Sequence, residues 1–192
     1  MNILVTGGTG FIGSHTCVSL LEAGHAVIIV DNLSNSRVDV VEKIEQIANE
    51  NVLLYELDVA DELAIRKVFE AHSIDGVIHF AGYKAVGESV EKPLMYYKNN
   101  LNSTITLAKL CVEFKVNRFV FSSSATVYGD NIPPLKETMP LFVTTNPYGE
   151  TKAMSERILT DVAKAHPYFS VTLLRYFNPV GAHKSGLIGE DP

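Results

Sequence analysis

Directly after a short apolar run, Ile3 to Thr6, the chain reads Gly7-Gly8-Thr9-Gly10-Phe11-Ile12-Gly13 and then continues with helical periodicity. A strand that turns on glycines into a helix leaves few folds open. The helix start is left at the carboxyl edge of a sheet, where its free N–H groups collect an anion. In that reading Gly7 permits the tight turn, Gly10 lets the backbone approach a pyrophosphate, and Gly13 lets the helix pack closely. The motif by itself is a weak signal; its place after the first strand is what points to a dinucleotide. A second apolar run closes on Val30-Asp31, 18 residues beyond Gly13. A carboxylate there accepts hydrogen bonds from an adenosine ribose and repels a 2′-phosphate, which favours NAD over NADP. The alternative is a turn or N-cap aspartate, which fits the following Asn32-Leu33-Ser34.

The same alternation runs through the whole chain. Strand candidates are Ile3 to Thr6, Ala26 to Val30, Val52 to Leu57, Gly76 to Phe80, Phe119 to Ser122 and Val171 to Tyr176. Most are unbroken runs of Val, Ile, Leu and Phe, as parallel strands covered on both faces require. Helix candidates fall near 11–23, 38–49, 61–71, 93–114 and 147–165. The pattern predicts an α/β fold with a doubly wound parallel sheet of the Rossmann type. Residues 82–92 and 129–146, rich in Gly, Pro and polar side chains, read as irregular loops after strand ends. Ligands bind at that edge of such sheets.

The helix after Pro93 has two apolar stripes. At about 100° per residue, Leu101, Ile105, Ala108 and Val112 share one side, and Leu107, Leu110, Cys111 and Phe114 share nearly the opposite one. One stripe can cover the sheet and the other wants a second partner, although Asn100 and Ser103 dilute the latter stripe. Burial of the helix within its own domain is the alternative.

Candidate chemistry lies between Ser124 and Lys152. Ser122-Ser123-Ser124 leaves the fifth strand, and Tyr148-Gly149-Glu150-Thr151-Lys152 follows Asn146-Pro147, an N-cap and first helical residue. Tyr148 and Lys152, four apart, share a helix face. Bringing a tyrosine from its usual pKa near 10 to about 7 needs roughly 4 kcal/mol. An ammonium about 5 Å away supplies roughly 3 kcal/mol at an effective dielectric constant of about 20, and the helix dipole up to about 1 kcal/mol. Desolvation opposes both, so one more positive charge is needed, and an oxidised nicotinamide ring would supply it.

Composition narrows the classes. The 192 residues suffice for one well-buried domain, not two complete ones. With 22 acidic and 16 basic residues the net charge is −6, which disfavours nucleic acid as a partner. Cys17 and Cys111 sit in helical patterns with no ligand cluster around them, so core thiols and no metal site are expected. No apolar stretch approaches a membrane span and no signal segment follows Met1, which reads as a cytoplasmic chain without a membrane partner. His79 inside an apolar strand reads as a core histidine, and Tyr128 as a packed aromatic.

Three further stretches, Phe80-Ala81-Gly82-Tyr83-Lys84-Ala85-Val86-Gly87-Glu88-Ser89, Phe121 to Gly129 and Arg175-Tyr176-Phe177-Asn178-Pro179-Val180-Gly181-Ala182-His183, complete a resemblance to the extended short-chain dehydrogenase/reductases. Within that superfamily the chain resembles the UDP-glucose 4-epimerase family along its whole length; Tyr83 stands where that family often has another apolar residue. The resemblance implies that NAD⁺ takes hydride from C4 of a UDP-hexose, tyrosine takes the hydroxyl proton, and the 4-keto sugar turns over before hydride returns. It implies Tyr148 as acid/base, Lys152 as the residue that lowers its pKa and holds the nicotinamide ribose, and Ser124 as a hydrogen-bond partner of O4. Cofactor contacts are implied at Gly7, Gly10, Phe11, Ile12, Gly13, Asp31, Asn32, Leu33, Ser34, Asn35, Ser36, Asp58, Val59, Phe80, Ala81, Gly82, Tyr83, Lys84, Asn99, Ser124, Tyr148, Lys152 and Phe177. Substrate contacts are implied at Ser124, Tyr148 and Asn178, and a homodimer through the helices near 93–114 and 147–165.

Two rival readings stay open. A dehydratase or decarboxylase of the same branch is one, but dehydration needs an added acid/base pair beside the serine, and the neighbours here are Ala125 and Thr126. A non-catalytic NAD-binding module is the other; intact Ser124, Tyr148 and Lys152 speak against it. Residues 1–176 read as the NAD-binding domain and 177–192 as the start of a substrate-binding region. The family continues into a smaller carboxyl-terminal domain, so this chain is expected to be truncated and to have little activity alone.

Overall fold

A computed structural model describes residues 1–190. Asp191 and Pro192, part of the expected substrate-binding region, lie outside the described residues. Six parallel strands form one sheet: β1 (Asn2–Thr6), β2 (Ala26–Asp31), β3 (Leu53–Glu56), β4 (Gly76–His79), β5 (Arg118–Ser124) and β6 (Ser170–Tyr176), in the order β3-β2-β1-β4-β5-β6. The order reverses between β1 and β4, which opens a crevice at their carboxyl ends. Helices α1 (Phe11–Glu22), α2 (Asp39–Ala48), α3 (Glu62–Ala71), α5 (Pro93–Glu113) and α6 (Pro147–Ala165) match the expected positions within two residues. Rossmann topology is therefore the observed architecture.

Alternation along each central strand divides the core. Ile3, Val5, Val27 and Ile29 face α1 and α2, while Leu4, Ile28, Val30, Val77, Phe119 and Phe121 face α3, α5 and α6. The edge strands depart from the expectation of cover on both faces: Leu53 and Leu174 are exposed, because an edge has fewer neighbours to bury it.

One element appears inside the expected loop 82–92 and another in the stretch between the fifth strand and the loop 129–146. Val86–Glu91 forms the six-residue helix α4, and Ala125–Tyr128 a 3-10 turn. Neither has a helical apolar pattern. α4 is held from outside, since the buried Tyr96 hydroxyl donates to Glu88 Oε2 (2.9 Å) and accepts from the Ala85 amide (3.1 Å). The 3-10 turn is capped by Ser124, whose Oγ accepts from the Thr126 amide.

The two-faced helix is α5. Its sheet-facing side carries Leu107, Leu110 and Cys111, all fully buried, and the polar Asn100 and Ser103 are buried with them. Ile105, on the other stripe, is 47% exposed. Both cysteines are buried free thiols, and burial pushes the Cys17 thiol up to about 12.

Candidate active site

The glycine turn is shaped by steric necessity. Gly7 has φ 69°, and a Cβ there would approach Ala81 N within 2.7 Å. At Gly13 a Cβ would lie 2.1 Å from the Gly7 carbonyl oxygen. The close packing expected there is thus of helix against the glycine loop's own backbone. The first turn of α1 has neither a side-chain cap nor an acidic residue. Its orphan N–H groups therefore stay available to an outside anion.

Asp31, buried at the end of β2, has both roles open to it in the sequence. Its Oδ1 accepts from the Leu33 amide (3.0 Å) and Ser36 Oγ (3.3 Å), and Oδ2 accepts from the Thr9 amide (3.2 Å). It ties the glycine turn to the loop after β2 while lining the crevice. Leu33 is the one proposed cofactor residue outside the lining; with φ 55° it bends the loop around Asp31.

The crevice encloses about 1210 Å³. Every other expected site residue borders it: Gly7, Gly10, Phe11, Ile12, Gly13, Asn32, Ser34, Asn35, Ser36, Asp58, Val59, Phe80, Ala81, Gly82, Tyr83, Lys84, Asn99, Ser124, Tyr148, Lys152, Phe177 and Asn178. Asp58 also caps a turn by accepting from the Ala60 amide (2.8 Å). Lys84 lies 3.5 Å from Glu190.

At the deep end, Asn146 accepts from the Gly149 amide (2.8 Å) and starts α6, so Tyr148 stands in its first turn. Burial raises the Tyr148 pKa, and the Ser124 hydroxyl acts in the opposite direction. Ser124 Oγ accepts from Thr126 Oγ1 (2.9 Å). Lys152 Nζ lies 5.9 Å from the Tyr148 ring and 4.8 Å from that of Phe121. It donates to the Ser122 carbonyl (2.7 Å), and burial pulls its pKa down to about 8. The protein alone therefore keeps the phenol neutral, and the further positive charge foreseen from electrostatics is still wanted.

Several contributors escape a sequence reading. Thr9 Oγ1 bonds to Ser36 Oγ (2.7 Å), Thr126 orients Ser124, and the Ser122 carbonyl anchors Lys152. Beyond β6, an antiparallel bridge joins Ala182 to Gly189, and Ile188 is buried in the α1–α2 core, so this segment spans the crevice. The adjacency of Thr126 to Ser124 was a visible signal; the folding back of 182–189 had none. Tyr128 packs under Arg175 (4.9 Å), and His79 is 1% exposed, as a packed aromatic and a core histidine should be. Among the described residues, no group of three or more His, Cys, Asp or Glu is placed to hold a metal ion. No helix of the described residues is long and apolar enough to cross a membrane.

Comparison with known proteins agrees with this geometry. UDP-glucose 4-epimerases from Neisseria meningitidis serogroup A and Haemophilus influenzae are 56% and 55% identical to the chain, covering all of it and 57% of their own length. The chain thus spans little more than half the length of these curated relatives. The crystal structure of UDP-glucose 4-epimerase from Bifidobacterium longum in complex with NAD⁺ and UDP superposes with a TM-score of 0.97 at 53% identity, over 100% of this chain and 58% of that one. Another, from Stenotrophomonas maltophila with bound NAD and formylated UDP-arabinopyranose, gives a TM-score of 0.96 at 46% identity, over 100% of this chain and 57% of that one. Residues 3–189 match the NAD dependent epimerase/dehydratase family, and to that family the chain belongs.

Proposed function

We propose that this chain holds NAD and carries the acid/base residues for interconverting UDP-glucose and UDP-galactose through a 4-keto sugar, a reaction of galactose metabolism in the cytoplasm. The observation that carries the reading is the convergence of Ser124, Tyr148 and Lys152 at the deep end of the crevice that the glycine turn and Asp31 also border. The residues fit the cofactor: the Gly7 and Gly13 positions leave no room for a Cβ, and the first turn of α1 is uncapped. Gly10, Phe11 and Ile12 would hold the pyrophosphate, Asp31 and Ser34 to Ser36 the adenosine ribose, and Asp58 and Val59 the adenine. Lys84, Asn99, Phe177 and Lys152 would hold the nicotinamide end. When bound, NAD⁺ takes a hydride from the sugar carbon and gives it back.

The chain's own residues handle the proton. Tyr148 takes it from the C4 hydroxyl as the C–H bond is lost and returns it when the carbonyl is reduced on its other face. Ser124 donates to O4 and holds it beside the phenol. Lys152 stabilises the phenolate by charge. We take residues 1–176 as the dinucleotide-binding region and 177–192 as the start of the substrate region, with Asn178 toward the sugar nucleotide.

Tyr148→Phe in a protein carrying the relatives' full length should cut epimerisation of UDP-galactose by at least about a thousandfold while leaving NAD bound. Undiminished turnover would remove Tyr148 from this role. We also propose a homodimer through α5 and α6. Leu94 and Ile105 are left 82% and 47% exposed on α5, with Met154 and Ile158 half-buried on α6. Ile105→Arg should convert a dimer to a monomer by light scattering; an unaltered mass excludes this face.

A further inference from the structure

Glu156 stands one turn beyond Lys152 on α6, a spacing at which a carboxylate can take a lysine as its partner. It does not do so here. Its Oε1 accepts from Ser123 Oγ (2.5 Å) and Arg175 Nε (3.0 Å), and its Oε2 from Arg175 Nη2 (2.8 Å). Glu156 is buried, at 4% side-chain exposure, and Arg175 is partly buried, at 16%. Lys152 is left to the Ser122 carbonyl and the Phe121 ring. Arg175 is itself held on β6 by the Tyr128 ring (4.9 Å) and the Glu137 carbonyl (3.5 Å).

We propose that Arg175 is a positioning residue that keeps Lys152 available to Tyr148, by occupying the Glu156 carboxylate that would otherwise draw the ammonium away. A forked guanidinium suits this task because it fills both carboxylate oxygens in one plane. The groups packed around Lys152 and Glu156 are His79 from β4, Tyr128 from the 3-10 turn, Arg175 from β6, and Tyr148 on α6 itself. α5 adds the neutral Asn100 and Thr104. Glu156 is the carboxylate in this set. Moving the ammonium from about 5 to about 8 Å from the phenolate raises the phenol midpoint by about one pH unit at an effective dielectric constant of about 20.

The inference rests on Tyr148 as proton carrier, but its test reads ionisation instead of turnover. In the full-length protein loaded with NAD⁺, whose positive charge brings the phenol into the range where Lys152 is still an ammonium, with tyrosine labelled by ¹³C at the hydroxyl-bearing carbon, the Tyr148 resonance is the one lost in Tyr148→Phe. Arg175→Met is expected to raise its midpoint by about one pH unit, and adding Glu156→Gln should restore it to within about 0.3 unit. Arg175→Met leaves a buried carboxylate unpaired, which can prevent folding. Arg175→Lys then serves, with a rise of about half a unit that Glu156→Gln again reverses. A midpoint that stays put in the Arg175 variants, or a rise that Glu156→Gln does not reverse, overturns the proposal. An effect that works through the ammonium disappears in a Lys152→Met background, whereas strain or the direct field of the stranded carboxylate would persist there, and persistence overturns the proposal. Full epimerisation by Tyr148→Phe would sink the proton-carrier reading, while the Glu156→Gln reversal would still decide whether Arg175 frees the lysine.

Discussion

Lys152 Nζ donates to the Ser122 carbonyl over 2.7 Å, so a buried ammonium is anchored to the end of β5 and not to the phenol one turn away. Burial holds its pKa near 8, against about 10.4 in an unfolded chain. Between those values the unfolded state binds more protons, so stability rises with pH across this window, and below it the fold carries the full cost of a desolvated charge. That cost is about 3 kcal/mol, offset by about 1 from the hydrogen bond to Ser122. Lys152→Met should therefore stabilise the chain by about 2 kcal/mol at pH 7, with the gain largely gone by pH 10.5. Urea midpoints at the two pH values decide it; a variant no more stable at pH 7 contradicts the assignment.

His79 is the acid-side counterpart. Its Nδ1 lies 2.7 Å from Thr6 Oγ1 and its Nε2 3.4 Å from Thr104 Oγ1, and burial, with Lys152 nearby, lowers its pKa to about 3. An unfolded histidine protonates near 6.5, so the unfolded state binds the extra proton as pH falls through that value and stability is lost. About 2 kcal/mol should disappear between pH 6.5 and 5, above the range in which carboxylates titrate. His79→Phe should lack this component. Equal losses in both proteins would show that His79 is not its source.

Much of this was readable in sequence because each feature is local. Six apolar runs, the glycine turn, Asp31 and the Tyr148-Lys152 spacing need only neighbours within a few residues to be interpreted. What stayed hidden depends on distant partners. α4 exists because Tyr96, five residues beyond its end, reaches back to it. The part-buried Arg175–Glu156 pair joins β6 to α6 across 19 residues, and nothing in either segment signals it. The direction of Lys152 is another such case, since helical spacing fixes the face on which a side chain lies but not the atom it bonds.

The glycine turn offers a sharper steric test. In Gly13→Ala the new methyl would sit 2.1 Å from the Gly7 carbonyl oxygen, which is backbone and cannot rotate aside. Relieving the contact must shift the loop or α1, at a cost of about 2–3 kcal/mol. Taken from binding, that weakens NAD⁺ by roughly 30- to 150-fold. Calorimetric titration measures this, and an unchanged dissociation constant would mean that the loop does not hold the cofactor.

Asn100, a polar break in an apolar stripe of the sequence, fastens three segments beside the site. Its Oδ1 accepts from the Tyr83 amide (2.9 Å), and its Nδ2 donates to the Tyr83 carbonyl (3.1 Å) and to Thr151 Oγ1 (3.0 Å). The loop bearing Lys84 is thereby tied to α5 and to the turn of α6 that precedes Lys152. Asn100→Leu keeps the volume but strands the Tyr83 backbone pair, at about 1–3 kcal/mol for each unsatisfied group. The variant should lose about 3 kcal/mol of stability, and hydrogen exchange at the Tyr83 amide should accelerate at least tenfold. Asn100→Asp keeps the acceptor for that amide and loses the donor, so it should protect Tyr83 better than leucine does. Equal exchange at Tyr83 in the wild-type, Leu and Asp proteins would mean that the loop is held by other contacts.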